Sequence, residues 1–98
     1  MEVNRKTDYQ GNKGVDALQR LIAIAFEDSH QRKYVRDFLL HLYNSNNPVD
    51  LVAILCACDK NITQDCLTVM AMRAKETREP HNYFENGSDV FWHLYQVR

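Results

Sequence analysis

The sequence predicts a small all-α domain of four or five short helices, and three observations predict it. The chain has 98 residues, 45% of them hydrophobic and 26% charged, which is ordinary globular composition and enough length for one modest core. Gly 3 and Pro 2 are low counts, which favour helices over a turn-rich β fold. Apolar residues recur at helical spacing through most of the chain, and no partnered strand pattern is evident.

Residues 1–13 are polar and lack a sustained period, with a Gly-containing exit at Gly11 to Gly14. They read as a flexible N-terminal tail, leaving 14–98 as the helical domain. A first helix is expected from Val15 to Glu27, because Leu18, Leu21, Ile22, Ala25 and Phe26 share one face. A second is expected from Ser29, as N-cap, to Tyr43, with Val35, Phe38, Leu39 and Leu42 inward. Pro48 forces Asn47 into extended backbone, and Pro48 or Asp50 can start a short third helix reaching Cys58. The apolar stretch Val49 to Leu55 also allows a buried strand, but nothing is present to pair with it.

The fourth helix, about 62–77, is expected to be the buried centre of the fold. Between Cys66 and Met72 only Thr68 is polar, so apolar residues cover more than one side. Asp59 or Asn61 can cap it, Asn61 and Gln64 having capping-box spacing. Glu79 to Gly87 reads as a loop, and Ser88 can cap a last helix to Val97 with Phe91, Leu94 and Tyr95 inward. The expected core is Leu18, Leu21, Ile22, Phe26, Val35, Phe38, Leu39, Leu42, Leu55, Ile62, Cys66, Val69, Met70, Phe91 and Leu94.

The formal net charge is −1, without the basic excess of a dedicated nucleic-acid binder. No apolar run reaches the ~20 residues that span a bilayer. No signal-peptide core is present at the N-terminus, so a cytoplasmic location with reduced thiols is expected.

The order of these pieces resembles a family of short bacterial proteins of plasmids, phages and integrated mobile elements. The resembling residues are Ala17 to Leu21 with Ala23 and Ala25, Val35 to Leu40, Asp50-Leu51, Ile62 to Val69, and a Pro80-to-Gly87 loop before Phe91. The resemblance implies a mostly helical accessory protein of a mobile element, located in the bacterial cytoplasm, with no assigned catalytic residues.

Chemical motifs are weak. Cys56, Cys58, Cys66, His81 and His93 are metal-binding types, but Cys56 and Cys58 point about 200° apart on a helix and cannot share one ion unless the helix stops there; no Cys-x-x-Cys is present. They read as thiols packed as small hydrophobes. Asp28-Ser29-His30 are consecutive and cannot form a catalytic relay, whose members converge from separate segments. Gly11, Gly14 and Gly87 are isolated and form no phosphate loop. No enzyme, cofactor or metal is expected.

The functional expectation is therefore a non-enzymatic protein-binding accessory protein, of the kind that inhibits host defence systems such as CRISPR. That suggestion rests on the resemblance. The alternative is a helix-turn-helix-like DNA-binding regulator using Gln31 to Arg36. A homodimer is left open. The candidate partner surface is the outer face of the second helix, carrying Arg32, Lys33, Arg36, Leu40 and Tyr43 well away from its core stripe. Leu40 there is a large apolar residue on a face expected to be wet, flanked by residue types that dominate binding energy. The competing reading is that the third or fifth helix covers Leu40 and Tyr43.

Overall fold

The computed structural model describes residues 2–97. They form five α-helices: α1 (Lys13–Phe26), α2 (Arg32–Tyr43), α3 (Leu51–Cys56), α4 (Lys60–Lys75) and α5 (Gly87–Gln96). Short 3-10 turns at Thr7–Tyr9 and Pro80–Tyr83 precede α1 and α5. The all-α expectation holds, with no strand among the described residues beyond one isolated bridge.

The central helix is α1, not α4. Gly11, at φ +77°, turns the chain into the helix, and the Asn12 side chain accepts a hydrogen bond from the Val15 N–H at 3.1 Å, satisfying one of the unpaired first-turn donors. Val15, Ala17, Leu18, Leu21, Ile22 and Ala25 are all fully buried. At 100° per residue they cover an arc of about 160°, wide enough to pack on both α2 and α4. α4 buries only Ile62, Cys66 and Val69, a single i, i+4, i+7 stripe. Its remaining apolar residues scatter around the helix; Leu67 is 42% exposed and Met70 is only half-buried. A domain this small has neighbours for α4 on one side alone. Hydrophobicity all round α4 therefore reflects composition rather than a central position.

Other boundaries shift for local reasons. Ser29 does not cap α2; its carbonyl accepts from the Arg32 N–H in a preceding turn. Gln31, the residue before the helix, is held elsewhere: its amide donates to Asp59 Oδ2 at 3.0 Å, and its oxygen accepts the Asp59 N–H at 2.7 Å. This clasp occupies the Asp59 side chain, so Asp59 precedes α4 without capping it. Asn61 lies inside α4, so the Asn61–Gln64 box is not formed. Asp50 does cap α3, accepting from the Ala53 N–H at 3.0 Å. Arg20 ties α1 to α4 through both carboxylate oxygens of Asp65, each at 2.9 Å.

The N-terminal segment differs from the expected flexible tail. Arg5 forms an antiparallel bridge with Phe84. The Lys6 N–H donates to the Tyr83 carbonyl at 3.0 Å, and the Glu85 N–H to the Asn4 carbonyl at 2.7 Å. The Arg5 guanidinium reaches α1, pairing with Asp16 at 2.6 Å and donating to Gln19 at 2.8 Å. The residues receiving this strap are the ones read as an open loop. Tyr83 and Phe84 are buried, and the Tyr83 hydroxyl donates to Glu76 Oε2 at 2.7 Å. The Tyr9 ring meets Tyr83 edge-on at 4.8 Å.

Candidate partner-binding surface

The face of α2 proposed from the sequence is covered by α5. Leu40 is fully buried and Arg36 is 8% exposed. Tyr43 is half-buried and stacks on Phe91, with ring centroids 5.1 Å apart. Arg36 Nη1 donates to the Val97 carbonyl at 2.8 Å, where the negative end of α5 favours a cation. The physical reason is packing on two sides: α1 covers one stripe of α2 and α5 another, so both are core. Of the five residues, Arg32 is half-buried and Lys33 exposed, and they sit at the start of the helix away from that contact. Arg36 and Gln31 being committed within the fold, Arg32 and Lys33 are the residues of the basic run that these contacts leave unused.

The structure puts the unusual surface on α3. Leu51 is 48% exposed, Val52 68% and Leu55 53%, and Cys56 is exposed as well. Only Ile54, at 1%, is buried. Leu55 was expected in the core, but Ile54 faces inward and a neighbour in sequence is turned 100° away. The four exposed side chains span roughly 140° of the helix surface. α3 is fixed to the body at its far end, where the Thr63 hydroxyl donates to the Ile54 carbonyl at 2.6 Å. Leu67 lies one turn beyond Thr63 on α4. Beside the start of α3, a shallow depression is lined by Lys33, Tyr34, Asp37, Pro48, Val49 and Asp50. The sequence carried a signal for this surface: from Leu51 to Cys58 no residue is charged or polar enough to face water. A helix of that composition is either enclosed or an interface, and six residues cannot be enclosed by two neighbours.

Of the residues weighed as metal ligands, Cys58 lies close enough to Cys66 to influence its thiol, while the two histidines pack against aromatic rings. His81 packs edge-on against Tyr43 at 5.0 Å, and His93 against Phe26 at 6.4 Å. Among the described residues no group of three or more His, Cys, Asp or Glu side chains is placed to hold a metal ion. Among the same residues no helix is long and apolar enough to cross a membrane.

The three thiols differ in chemistry. Burial, with smaller contributions from Cys58 and Asp65, pushes the Cys66 thiol up to about 12. Burial and then Asp59 raise Cys58. Thiolates are the reactive species. Labelling of the native protein with a thiol reagent should therefore show one fast equivalent, removed by Cys56→Ser, and Cys66 should react only in denaturant. Fast reaction of all three would contradict the burial of Cys66.

A pH dependence follows from the same burial. A thiol held protonated by the fold stabilises it fully below its unfolded value, near 9.0. That contribution is lost as pH rises from there toward the folded value. Tyr83 is likewise raised, first by burial and then by its bond to Glu76, and adds its loss above about 10. Stability in urea should be flat from pH 7 to 8.5. Above pH 9 it should fall, each group contributing at most about 1.4 kcal/mol per pH unit. Cys66→Ala should flatten the first part of that decline.

The family of unknown function DUF7673 matches residues 15–98, and the chain belongs to that family. The match begins near the start of α1 and takes in every helix of the core, α3 included. No curated protein and no solved structure matches the chain.

Proposed function

We propose that this member of the family is a non-enzymatic protein-binding accessory protein of a bacterial mobile element, acting in the cytoplasm on a host or element-encoded protein. An inhibitor of a host defence system such as CRISPR is the kind of molecule this describes. The observation that supports binding is α3, whose apolar face stands in water at Leu51, Val52 and Leu55. Exposed apolar patches of this kind mark interaction sites more often than chance surface. The mobile-element setting is supported by the sequence resemblance. The contact surface in this reading is α3, and the α2 face that α5 covers is withdrawn from it.

A photo-crosslinker on Cys56, with Cys58 and Cys66 replaced by serine and alanine, tests the reading in host cells. One specific protein should be trapped, and Val52→Ser with Leu55→Ser should abolish trapping while far-ultraviolet circular dichroism stays unchanged. Trapping of nothing above background would end it. A gel shift with random duplex DNA at low salt addresses the regulator alternative: retention that falls steeply with salt would favour DNA binding by Arg32 and Lys33.

A further inference from the structure

We infer that the groove between the start of α1 and the turn before α5 recognises an extended, arginine-bearing segment of another protein. Residues 2–6 of the chain itself occupy and guard that groove. The site shares no residue with α3 and stands independently of it. Its rim reads main chain. The Tyr83 carbonyl accepts from the Lys6 N–H at 3.0 Å, and the Glu85 N–H donates to the Asn4 carbonyl at 2.7 Å. The Asn86 side chain continues the ladder, accepting from the Asn4 N–H at 2.9 Å and donating to the Glu2 carbonyl at 2.8 Å. These bonds ask only for extended backbone, as in recognition by strand addition. The arginine is read by side chains of α1. Asp16 pairs with Arg5 Nη1 at 2.6 Å, and Gln19 Oε1 accepts from Nε at 3.1 Å and Nη2 at 2.8 Å. A planar guanidinium fork reaches both acceptors at once.

The present occupant is removable. No residue from 2 to 10 is fully buried, so its departure vacates no core position. Its joint to the body is Gly11, where a Cβ would meet nothing within 4 Å, so the chain can bend there without displacing a neighbour. Asp16, Gln19 and residues 83–86 fall within the stretch matched to the family, 15–98, whereas the strap precedes it. The groove thus belongs to the shared domain, and its occupant is appended. A segment tethered this closely competes at an effective concentration on the order of millimolar. It sets a threshold, which an outside segment passes by fitting the groove better or by being held nearby through a second contact. A second copy of this chain is disfavoured, because its strap brings the same contacts without the tether.

Three acetylated peptides serve as probes: the sequence of residues 2–9, the same sequence with its arginine replaced by alanine, and a threonine peptide with one central arginine. The receptors are the full chain and two full-length variants that loosen the strap. Arg5→Ala empties the arginine site. Lys6 has φ −66°, which proline fits, so Lys6→Pro removes only the N–H that donates to Tyr83. Amide chemical shifts are followed by nuclear magnetic resonance, and unchanged Leu21 and Ile22 shifts verify the core of each variant. The strap peptide should shift Asp16, Gln19 and residues 83–86 in both variants. It should bind the Arg5→Ala chain about tenfold tighter than the alanine version does, and about tenfold tighter than it binds the parent, whose own strap competes. The threonine peptide should bind within about threefold of the strap peptide, since the rim reads backbone. Adding Asp16→Asn to Arg5→Ala should cost about fivefold or more. No binding to either variant, equal binding with and without arginine, equal binding by parent and Arg5→Ala chain, or shifts confined to other residues overturns the inference. Rejection of the threonine peptide overturns it as well, by showing a groove fitted to its own strap alone. So does dimerisation of the parent on concentration with shifts at 83–86 and no peptide present, which assigns the groove to a second copy.

Discussion

Gly87→Ala is expected to destabilise the protein by about 3 kcal/mol or more, a large share of what a domain this size possesses. A Cβ built on Gly87 lies 1.7 Å from the His81 carbonyl oxygen and 2.7 Å from its carbon. Both atoms are backbone, held by the turn that buries Tyr83, so neither can step aside. Relief would require α5 to lift from that turn, with loss of the Tyr43–Phe91 stack. Gly14 is the internal control. Its Cβ would meet Met72 Sδ, which can swing aside, and Met72 Cβ and Cγ at 3.1 Å, which need give only by a few tenths of an ångström. Alanine there also gains helix propensity, and Gly14→Ala should stay within about 1 kcal/mol of the parent. Urea unfolding followed by circular dichroism compares the two. Equal midpoints would show that the α5 approach is looser than described.

Leu40→Ser is expected to cost about 3–4 kcal/mol, combining lost burial, a cavity and an unpaired hydroxyl. Leu40 is fully buried, one turn from Arg36 and from Tyr43, which meet the end of α5 and Phe91. Its effect on any partner should therefore appear only through unfolding, whereas Val52→Ser at the surface should leave stability within about 0.5 kcal/mol. If Leu40→Ser folds like the parent, the α5 contact is wrong, and the outer face of α2 becomes a candidate surface again.

The helices were legible because each of the longer ones repeats its buried residues at helical spacing. Leu18, Leu21, Ile22 and Ala25 on α1, and Val35, Phe38 and Leu39 on α2, are buried as the pattern predicts. Rank among helices was not legible. The apolar content of α4 exceeds what its neighbours cover, while the small residues Ala17 and Ala25 let α1 lie between two partners, and small residues hardly register as hydrophobic signal. Tyr83 and Phe84 were hidden by the Pro, Asn and Gly around them, which mark a turn but say nothing of what the turn packs on. Leu40 and Arg36 were misplaced because one periodic stripe was assumed to exhaust the buried side of α2. Whether a second helix covers another stripe depends on how the chain returns through the loop, a long-range property that local spacing does not carry.

The strap between Arg5 and Phe84 has a consequence for the order of assembly. Its hydrogen bonds join residues about 80 positions apart, so they reward the chain only after nearly its whole length has been gathered. Closing so long a loop is entropically unfavourable until α1 and the turn before α5 are already in place. The strap should therefore zip last and open first. Native-state hydrogen exchange should find the Lys6 and Glu85 amides opening by local fraying, at free energies well below those of Leu21 and Ile22 in α1.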